Sequence, residues 1–88
     1  MITKDKVFII TGASAGIGSE LAYQLAEKGA HVVCAARTLT KLETVCKNIE
    51  NKNGSAIPIQ ADITNKDQCE KVISQTIKTF NRIDGLIL

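Results

Sequence analysis

Hydrophobic positions along this chain alternate between two spacings. Val7 to Ile10 is a continuous apolar run rich in β-branched residues, which predicts a strand covered on both faces. Apolar residues then recur at every fourth position with alanines beside them, and this spacing predicts an amphipathic helix that ends at Gly29. The predicted buried face of this helix consists of Ile17, Leu21, Ala22, Leu25 and Ala26.

Two further pairs of a strand and a helix follow. His31 to Ala35 and Ala56 to Gln60 are short runs dominated by apolar residues, and both are predicted to be strands. Thr38 is predicted to cap the second helix, and either Thr64 or Asn65 is predicted to open the third. The predicted buried positions are Leu39, Leu42, Val45, Cys46 and Ile49 in the second helix and Cys69, Val72, Ile73, Thr76, Ile77 and Phe80 in the third.

A fourth apolar run, Asp84 to Leu88, is predicted to be the last strand. The order βαβαβαβ predicts a parallel sheet with right-handed crossovers, so we expect an α/β fold, a doubly wound parallel sheet in the order 3-2-1-4. Pro58 suits the edge position of the third strand, because proline has no N–H to donate. We expect residues 1–88 to form one unit that is incomplete at its C-terminal end, since the last strand exposes an edge.

Composition and charge exclude several classes of function. The chain has 88 residues and a net charge of +2, with no basic stripe and one tyrosine and two phenylalanines as its aromatic residues, so we expect no nucleic-acid partner. Its apolar runs are far shorter than the ~18 residues that a membrane span needs. Cys34, Cys46 and Cys69 form no Cys-x-x-Cys motif. We therefore expect reduced thiols, no metal site and a cytoplasmic protein.

Three glycines, Gly12, Gly16 and Gly18, lie where the first strand meets its helix. The N–H groups and positive dipole end of a helix attract anions, and a Cβ at these glycines would hold the backbone away from a phosphate or a neighbouring strand. A P-loop would need Gly-Lys-Ser/Thr, whereas Ile17 and Ser19 follow the last two glycines. The turn therefore predicts a diphosphate site that is not a P-loop. A tight turn without a ligand is the alternative.

Two charged residues are expected beside this turn. Parallel strands all end at the same edge of the sheet, so Arg37 after the second strand and Asp62 after the third should converge on the glycine turn. In open α/β sheets this crevice binds ligands. A solvated loop residue is the alternative for Arg37, and the start of the turn before Thr64 is the alternative for Asp62.

The segment from Thr11 to Gly18, "TGASAGIG", resembles the cofactor loop Thr-Gly-x-x-x-Gly-x-Gly of the short-chain dehydrogenases/reductases. The resemblance extends along the whole chain through "GAHVVCAAR", "ADIT" and "RIDGLIL". It implies a Rossmann-type fold and a parent oxidoreductase that transfers hydride between a nicotinamide and a carbonyl compound or secondary alcohol. The cofactor-binding residues it implies are Gly12, Ser14, Ala15, Gly16, Ile17, Gly18, Arg37, Asp62 and Ile63.

The residue that follows the second strand indicates which coenzyme is preferred. A carboxylate about 20 residues past the glycines would hold the ribose 2′-hydroxyl of NAD, but Ala36 and Arg37 occupy this place. An arginine there pairs with a 2′-phosphate, so we expect NADP(H) to be favoured over NAD(H). Many relatives that prefer NADP carry a basic residue where Ala15 stands. Ser14 is a candidate for a phosphate contact, or it caps the turn.

The resemblance also implies a catalytic tyrosine with a lysine four residues later and an assisting serine. The one tyrosine of the chain is Tyr23, and Glu27 stands four residues after it, so these residues carry no catalytic set. We expect an N-terminal cofactor-binding part of a longer enzyme, whose complete form is a homo-oligomer. A truncated, non-catalytic dinucleotide-binding module is the alternative.

Overall fold

The computed structural model describes residues 3–88, which form four strands and three helices in strict alternation. The elements are β1 (Val7–Thr11), α1 (Gly16–Glu27), β2 (His31–Ala36), α2 (Leu39–Asn51), β3 (Ser55–Gln60), α3 (Lys66–Phe80) and β4 (Gly85–Ile87). The predicted β1, β2 and β3 are each one residue short, and the predicted β4 is one residue too long at each end.

All four strands form one parallel sheet in the order β3-β2-β1-β4, so the predicted order 3-2-1-4 is confirmed. β3 is an edge strand, as Pro58 predicted. The prolyl side chain is exposed, and Pro58 pairs in register with Cys34 of β2. A proline costs little here because its missing N–H removes no hydrogen bond from an interior ladder.

Alternate residues of the strands face two separate hydrophobic clusters. Ile10, Val32 and Cys34 face the cluster that α1 and α2 cover, whereas Ile9 and Val33 face the cluster that α3 covers. This alternation is the pleat of a strand whose two faces are both buried. The fold therefore has three layers, with two helices on one face of the sheet and one helix on the other.

Two buried thiols lie in the first of these clusters. Cys34 of β2 and Cys46 of α2 are both buried, and all three cysteines of the chain are free thiols. A hydrogen bond with Cys46, together with burial, raises the pKa of the Cys34 thiol. Cys34 is therefore protonated at neutral pH and packs as a small apolar side chain.

The apolar face predicted for α1 is wrong at its first position. Ile17 is 89% exposed, whereas Ala22, Leu25 and Ala26 are buried. Each four-residue step advances about 40° around an α-helix, so a row of such steps drifts off the buried face. Ile17 consequently shares the solvent side with Glu20.

The buried face predicted for α3 is too wide, and one position of α2 is also wrong. Val72 and Thr76 are buried, but Ile73 is 42% and Ile77 is 44% exposed. Within residues 3–88, α3 is the one helix on its face of the sheet, so no neighbouring helix covers its flanks. Leu39, in the first turn of α2, is 37% exposed.

The N-cap residues of α2 and α3 are among those predicted from the sequence, but only one of them caps its helix with a side-chain hydrogen bond. Asn65 is the N-cap of α3, and its side chain accepts a hydrogen bond from the Gln68 N–H at 3.1 Å. Thr38 is the N-cap of α2, but its side chain makes no capping hydrogen bond, so the prediction that it caps this helix holds for position alone. The first turn of α2 therefore keeps free N–H groups.

Asp84 holds β4 against β1. Its backbone N–H donates to the Val7 carbonyl and its Oδ2 accepts from the Val7 N–H, both at 2.8 Å. The Arg82 guanidinium donates two hydrogen bonds to the same carboxylate, at 2.8 and 2.7 Å. These Arg82 hydrogen bonds and then the Val7 N–H lower the pKa of Asp84. Every oxygen of this carboxylate is thus paired at the start of the last strand.

We predict that Asp84→Asn lowers the melting temperature at neutral pH, because the amide cannot accept from Val7 and pair with both guanidinium donors. The folded-state pKa of Asp84 is depressed, so its contribution is present above the unfolded value of about 3.9 and is lost as pH falls below it. The difference between wild type and variant should therefore shrink in acid. Thermal unfolding from pH 7 to pH 3 checks this, with the exposed Glu70→Gln as the control of equal charge change. A difference that is independent of pH would contradict the prediction.

Candidate functional site

A cleft of about 500 Å³ lies where β1, β2 and β3 end. It brings together five of the residues predicted from the sequence, which are Gly12, Ser14, Arg37, Asp62 and Ile63. The strand register explains this convergence, because Thr11 pairs with Ala35, which pairs in turn with Ile59. The chain segments that leave these strands therefore start at nearly the same height, at the carboxyl edge of the sheet.

The remaining predicted residues, Ala15, Gly16, Ile17 and Gly18, form the amino-terminal end of α1. Ala15 is the N-cap, and it has no side chain that could accept a hydrogen bond from the first turn. The first turn also carries no acidic residue. The helix therefore presents unneutralised N–H groups and its positive dipole end beside Gly12, which is the arrangement that binds anions.

The three glycines of the turn serve two different purposes. Gly12 and Gly16 have φ values of +65° and +59°, a region that other L-residues rarely adopt. A Cβ on Gly18 would overlap the Gly12 carbonyl oxygen and come within 3.1 Å of the Ala13 Cα. Gly18 thus lets the helix pack directly on the turn, whereas the other two glycines set the path of the turn.

The turn also leaves room for a ligand. Apart from the adjoining backbone, no heavy atom lies within 4 Å of the positions that a Cβ on Gly12 or Gly16 would take. Bare main chain, free N–H groups and open space together fit a diphosphate, because its oxygens need donors that can be approached closely.

Asp62 is held by short hydrogen bonds in the next loop. Its Oδ1 accepts from the Thr64 hydroxyl at 2.6 Å and from the Thr64 N–H at 3.0 Å, and its own N–H donates to Gln68 Oε1 at 2.6 Å. The Thr64 hydroxyl is the main cause that lowers the pKa of Asp62, with a smaller contribution from the positive charge of Arg37. The carboxylate is therefore ionised and fixed in orientation at neutral pH.

Arg37 supplies a cation to the same cleft. Its side chain is exposed and forms no salt bridge within 4.0 Å with any residue from 3 to 88. Its backbone is held, because its carbonyl accepts a hydrogen bond from the Gln60 side chain at 3.0 Å. A fixed backbone with an uncommitted guanidinium suits the recognition of an anionic group such as a phosphate.

Three threonines of the cleft were missed by the sequence analysis as site residues. Thr11, Thr38 and Thr64 line it, and Thr11 donates through its hydroxyl to the Ile87 carbonyl at 3.2 Å. Thr38 follows Arg37 and begins a helix, so its position after the second strand was a usable signal. Thr64 was predicted only as a possible start of the third helix. Nothing in the sequence indicates its hydrogen bond to Asp62.

Tyr23 lies away from the cleft, on the outer surface between α1 and α2. Its hydroxyl accepts a hydrogen bond from the Asn48 side chain at 3.2 Å. Across residues 3–88, no group of three or more His, Cys, Asp or Glu side chains is arranged to hold a metal ion. The helices of this part of the chain are all too short or too polar to cross a bilayer.

The family model described as short chain dehydrogenase matches residues 6–88, which is nearly the whole chain. The chain belongs to this family. Its glycine turn and its Rossmann-like sheet are therefore those of a short-chain dehydrogenase, and the resemblance inferred from "TGASAGIG" is confirmed.

Individual relatives agree with this assignment. An uncharacterized oxidoreductase of Listeria monocytogenes is 42% identical over 88 residues, which are 100% of this chain and 36% of that protein. An 11-beta-hydroxysteroid dehydrogenase-like protein of Arabidopsis thaliana is 42% identical over 83 residues, covering 93% of this chain and 27% of that protein. A metagenomic short-chain oxidoreductase in complex with NADP superposes with a TM-score of 0.90 at 32% identity, covering 96% of this chain and 38% of that one. The chain thus spans about a third of the length of these relatives.

Gly18→Ala should destabilise this short-chain dehydrogenase by roughly 1–3 kcal/mol, because the added Cβ meets rigid backbone and the first turn of α1 must move away from Gly12. Urea unfolding measures the change. Glu20→Ala, on the exposed side of the same helix, is the control and should stay within about 0.5 kcal/mol of wild type. Equal stability of Gly18→Ala and wild type would show that the close approach of helix and turn is not needed.

Proposed function

We propose that this chain binds NADP(H) and forms the coenzyme-binding part of an oxidoreductase that transfers hydride between the nicotinamide and a carbonyl compound or secondary alcohol. The observation that carries the proposal is the geometry of the glycine turn, where open space beside Gly12 and Gly16 meets the free amino-terminal end of α1. The diphosphate of the coenzyme would lie there. Family membership supports this reading.

The remaining predicted residues would hold the adenosine end of the coenzyme. Asp62, oriented by Thr64, and the backbone of Ile63 would contact the adenine edge. Arg37 would pair with the 2′-phosphate and lay its guanidinium plane on the adenine face. Ser14 lines the same cleft and offers a hydroxyl to the 2′-phosphate. Ala15, Gly16, Ile17 and Gly18 would contribute backbone N–H groups to the diphosphate.

The bound coenzyme would supply the hydride, and this chain would orient it. The substrate itself, and the groups that protonate or deprotonate its oxygen, would be held by residues other than these 88, since the one tyrosine, Tyr23, is engaged with Asn48 away from the cleft. A small-molecule substrate is the partner class of the proposal. The cytoplasmic location and the homo-oligomeric assembly of the complete protein stay predictions of the sequence.

The preference for NADP(H) rests on Arg37. The guanidinium has no anionic partner within residues 3–88, and Ala36, at the end of β2, has no carboxylate to bind a ribose 2′-hydroxyl. A charge-assisted hydrogen bond to a phosphate contributes about 1.5–3 kcal/mol, or roughly 10- to 150-fold in affinity.

We predict that Arg37→Asp weakens NADPH binding at least about tenfold and leaves NADH binding unchanged or improved, because the substitution removes the phosphate contact and adds a carboxylate that can accept from a 2′-hydroxyl. Calorimetric titration of the protein with each coenzyme measures both affinities. Lys47→Asp makes the same charge change on the exposed side of α2, and it should leave the ratio of the two affinities unchanged.

The titration separates three outcomes. Binding of NADPH by wild type with selective loss in Arg37→Asp supports both the site and the preference. Equal loss of both coenzymes in this variant would mean that Arg37 acts on the structure and does not recognise the phosphate. Absence of heat with either coenzyme on wild-type protein would overturn the proposed function.

A further inference from the structure

Asn53 and Gly54 form the one Asn-Gly dipeptide of the chain, in the exposed turn between α2 and β3. We propose that Asn53 is a deamidation site whose rate is controlled by opening of this turn. The proposal does not depend on coenzyme binding, because the turn lies at the amino edge of the sheet, opposite the cleft. The reaction needs only water as co-reactant.

Deamidation at such a dipeptide proceeds through a cyclic imide. The backbone nitrogen of Gly54 loses its proton to solvent base and attacks the side-chain Cγ of Asn53, and the C–N bond to the amide nitrogen breaks as ammonia leaves. Water then opens the imide. Cleavage of its Cγ–N bond leaves aspartate, and cleavage of its bond to the main-chain carbonyl leaves isoaspartate. Glycine accelerates the attack because it has no Cβ to crowd the nitrogen.

The folded turn withholds the attacking nitrogen. The Gly54 N–H donates to the Ile49 carbonyl at 2.9 Å, and the Asn53 N–H donates to the Glu50 carbonyl at the same distance. Asn53 itself has a φ of +65°, the left-handed conformation in which asparagine commonly ends a helix. Because the N–H of Gly54 is held in a hydrogen bond, it cannot be deprotonated and turned toward Cγ until the last turn of α2 opens.

An isoaspartate would not fit back into this turn. It adds one carbon to the backbone directly before Gly54, and Gly54 is itself closely packed, since a Cβ on this residue would lie 2.6 Å from Ile49 Cγ2 and 3.4 Å from Ala26 Cβ. Ser55, the next residue, pairs with His31 in the ladder between β3 and β2. The longer backbone therefore cannot keep both the hydrogen bond to Ile49 and the strand register. Conversion to isoaspartate is expected to leave the turn open and to lower the melting temperature.

The chain offers a matched comparison at the end of α3. Asn81 has a φ of +62° and donates its N–H to the Ile77 carbonyl at 2.7 Å, so its conformation resembles that of Asn53. The N–H of Arg82, however, makes no backbone hydrogen bond within residues 3–88. Arg82→Gly therefore creates a second Asn-Gly dipeptide whose asparagine has a similar φ but whose glycine lacks the protecting hydrogen bond.

The experiment follows conversion at each asparagine by peptide mapping and mass spectrometry, at mildly alkaline pH. In unfolded wild-type chain, in guanidinium, Asn53 should convert faster than the other four asparagines. In folded wild type, its rate should fall roughly tenfold or more, since local opening must precede reaction. In folded Arg82→Gly, Asn81 should convert faster than Asn53. Arg82→Ala gives the effect of losing the contact with Asp84 alone, and circular dichroism establishes that each variant is folded.

Each alternative result overturns part of the proposal. Equal rates for Asn53 in folded and unfolded chain would show that opening of the turn does not control the reaction. Conversion of Asn53 no faster than that of the other asparagines in the unfolded chain would show that it is not the deamidation site. Protection of Asn81 in folded Arg82→Gly to the same extent as Asn53 would show that the Gly54–Ile49 hydrogen bond is not the cause.

Discussion

The close approach of the α1 amino terminus to the Gly12 carbonyl is the contact on which the cleft depends. Gly18 permits it, because any side chain at this position would overlap the turn. The approach places the free N–H groups of the helix beside the end of β1, where the sheet also delivers Arg37 and Asp62. A helix end shifted outward by the width of a methyl group would separate its dipole from both charged residues. Packing and ligand recognition are therefore not separable at this turn.

The topology could be predicted from the sequence because it follows from periodicity and chirality. Alternating apolar runs and four-residue spacings define strands and helices, and right-handed crossovers leave few ways of arranging them. Periodicity gives the angle of a side chain around its helix, but it does not show whether another element packs against that side of the helix. Ile17, Ile73 and Ile77 were all predicted to lie on buried helix faces, yet all three are exposed. Their burial depends on neighbouring surfaces, and these are not encoded in the spacing within one helix.

The candidate site was predictable to the extent that it depends on strand ends. Arg37 and Asp62 are 25 positions apart in the sequence, and they line one cleft because parallel strands finish at one edge. The hydrogen bonds that orient these residues could not be predicted in the same way. Gln68 accepts from the Asp62 N–H, and Gln60 donates to the Arg37 carbonyl, through side chains that the sequence analysis had no reason to select. Side-chain contacts of this kind depend on rotamers and loop geometry.

The last strand, β4, is held in place at both of its ends. β4 pairs with β1 over three residues only, and it is held at one end by Asp84 with Val7 and at the other by Thr11 with Ile87. Leu88 follows directly and lines the cleft. Because so short a ladder contributes few hydrogen bonds of its own, the carboxylate at the amino edge and the threonine at the carboxyl edge together define its register. The position of Leu88 in the cleft thus depends partly on the contacts of Asp84 with Val7 and Arg82 at the opposite end of the strand.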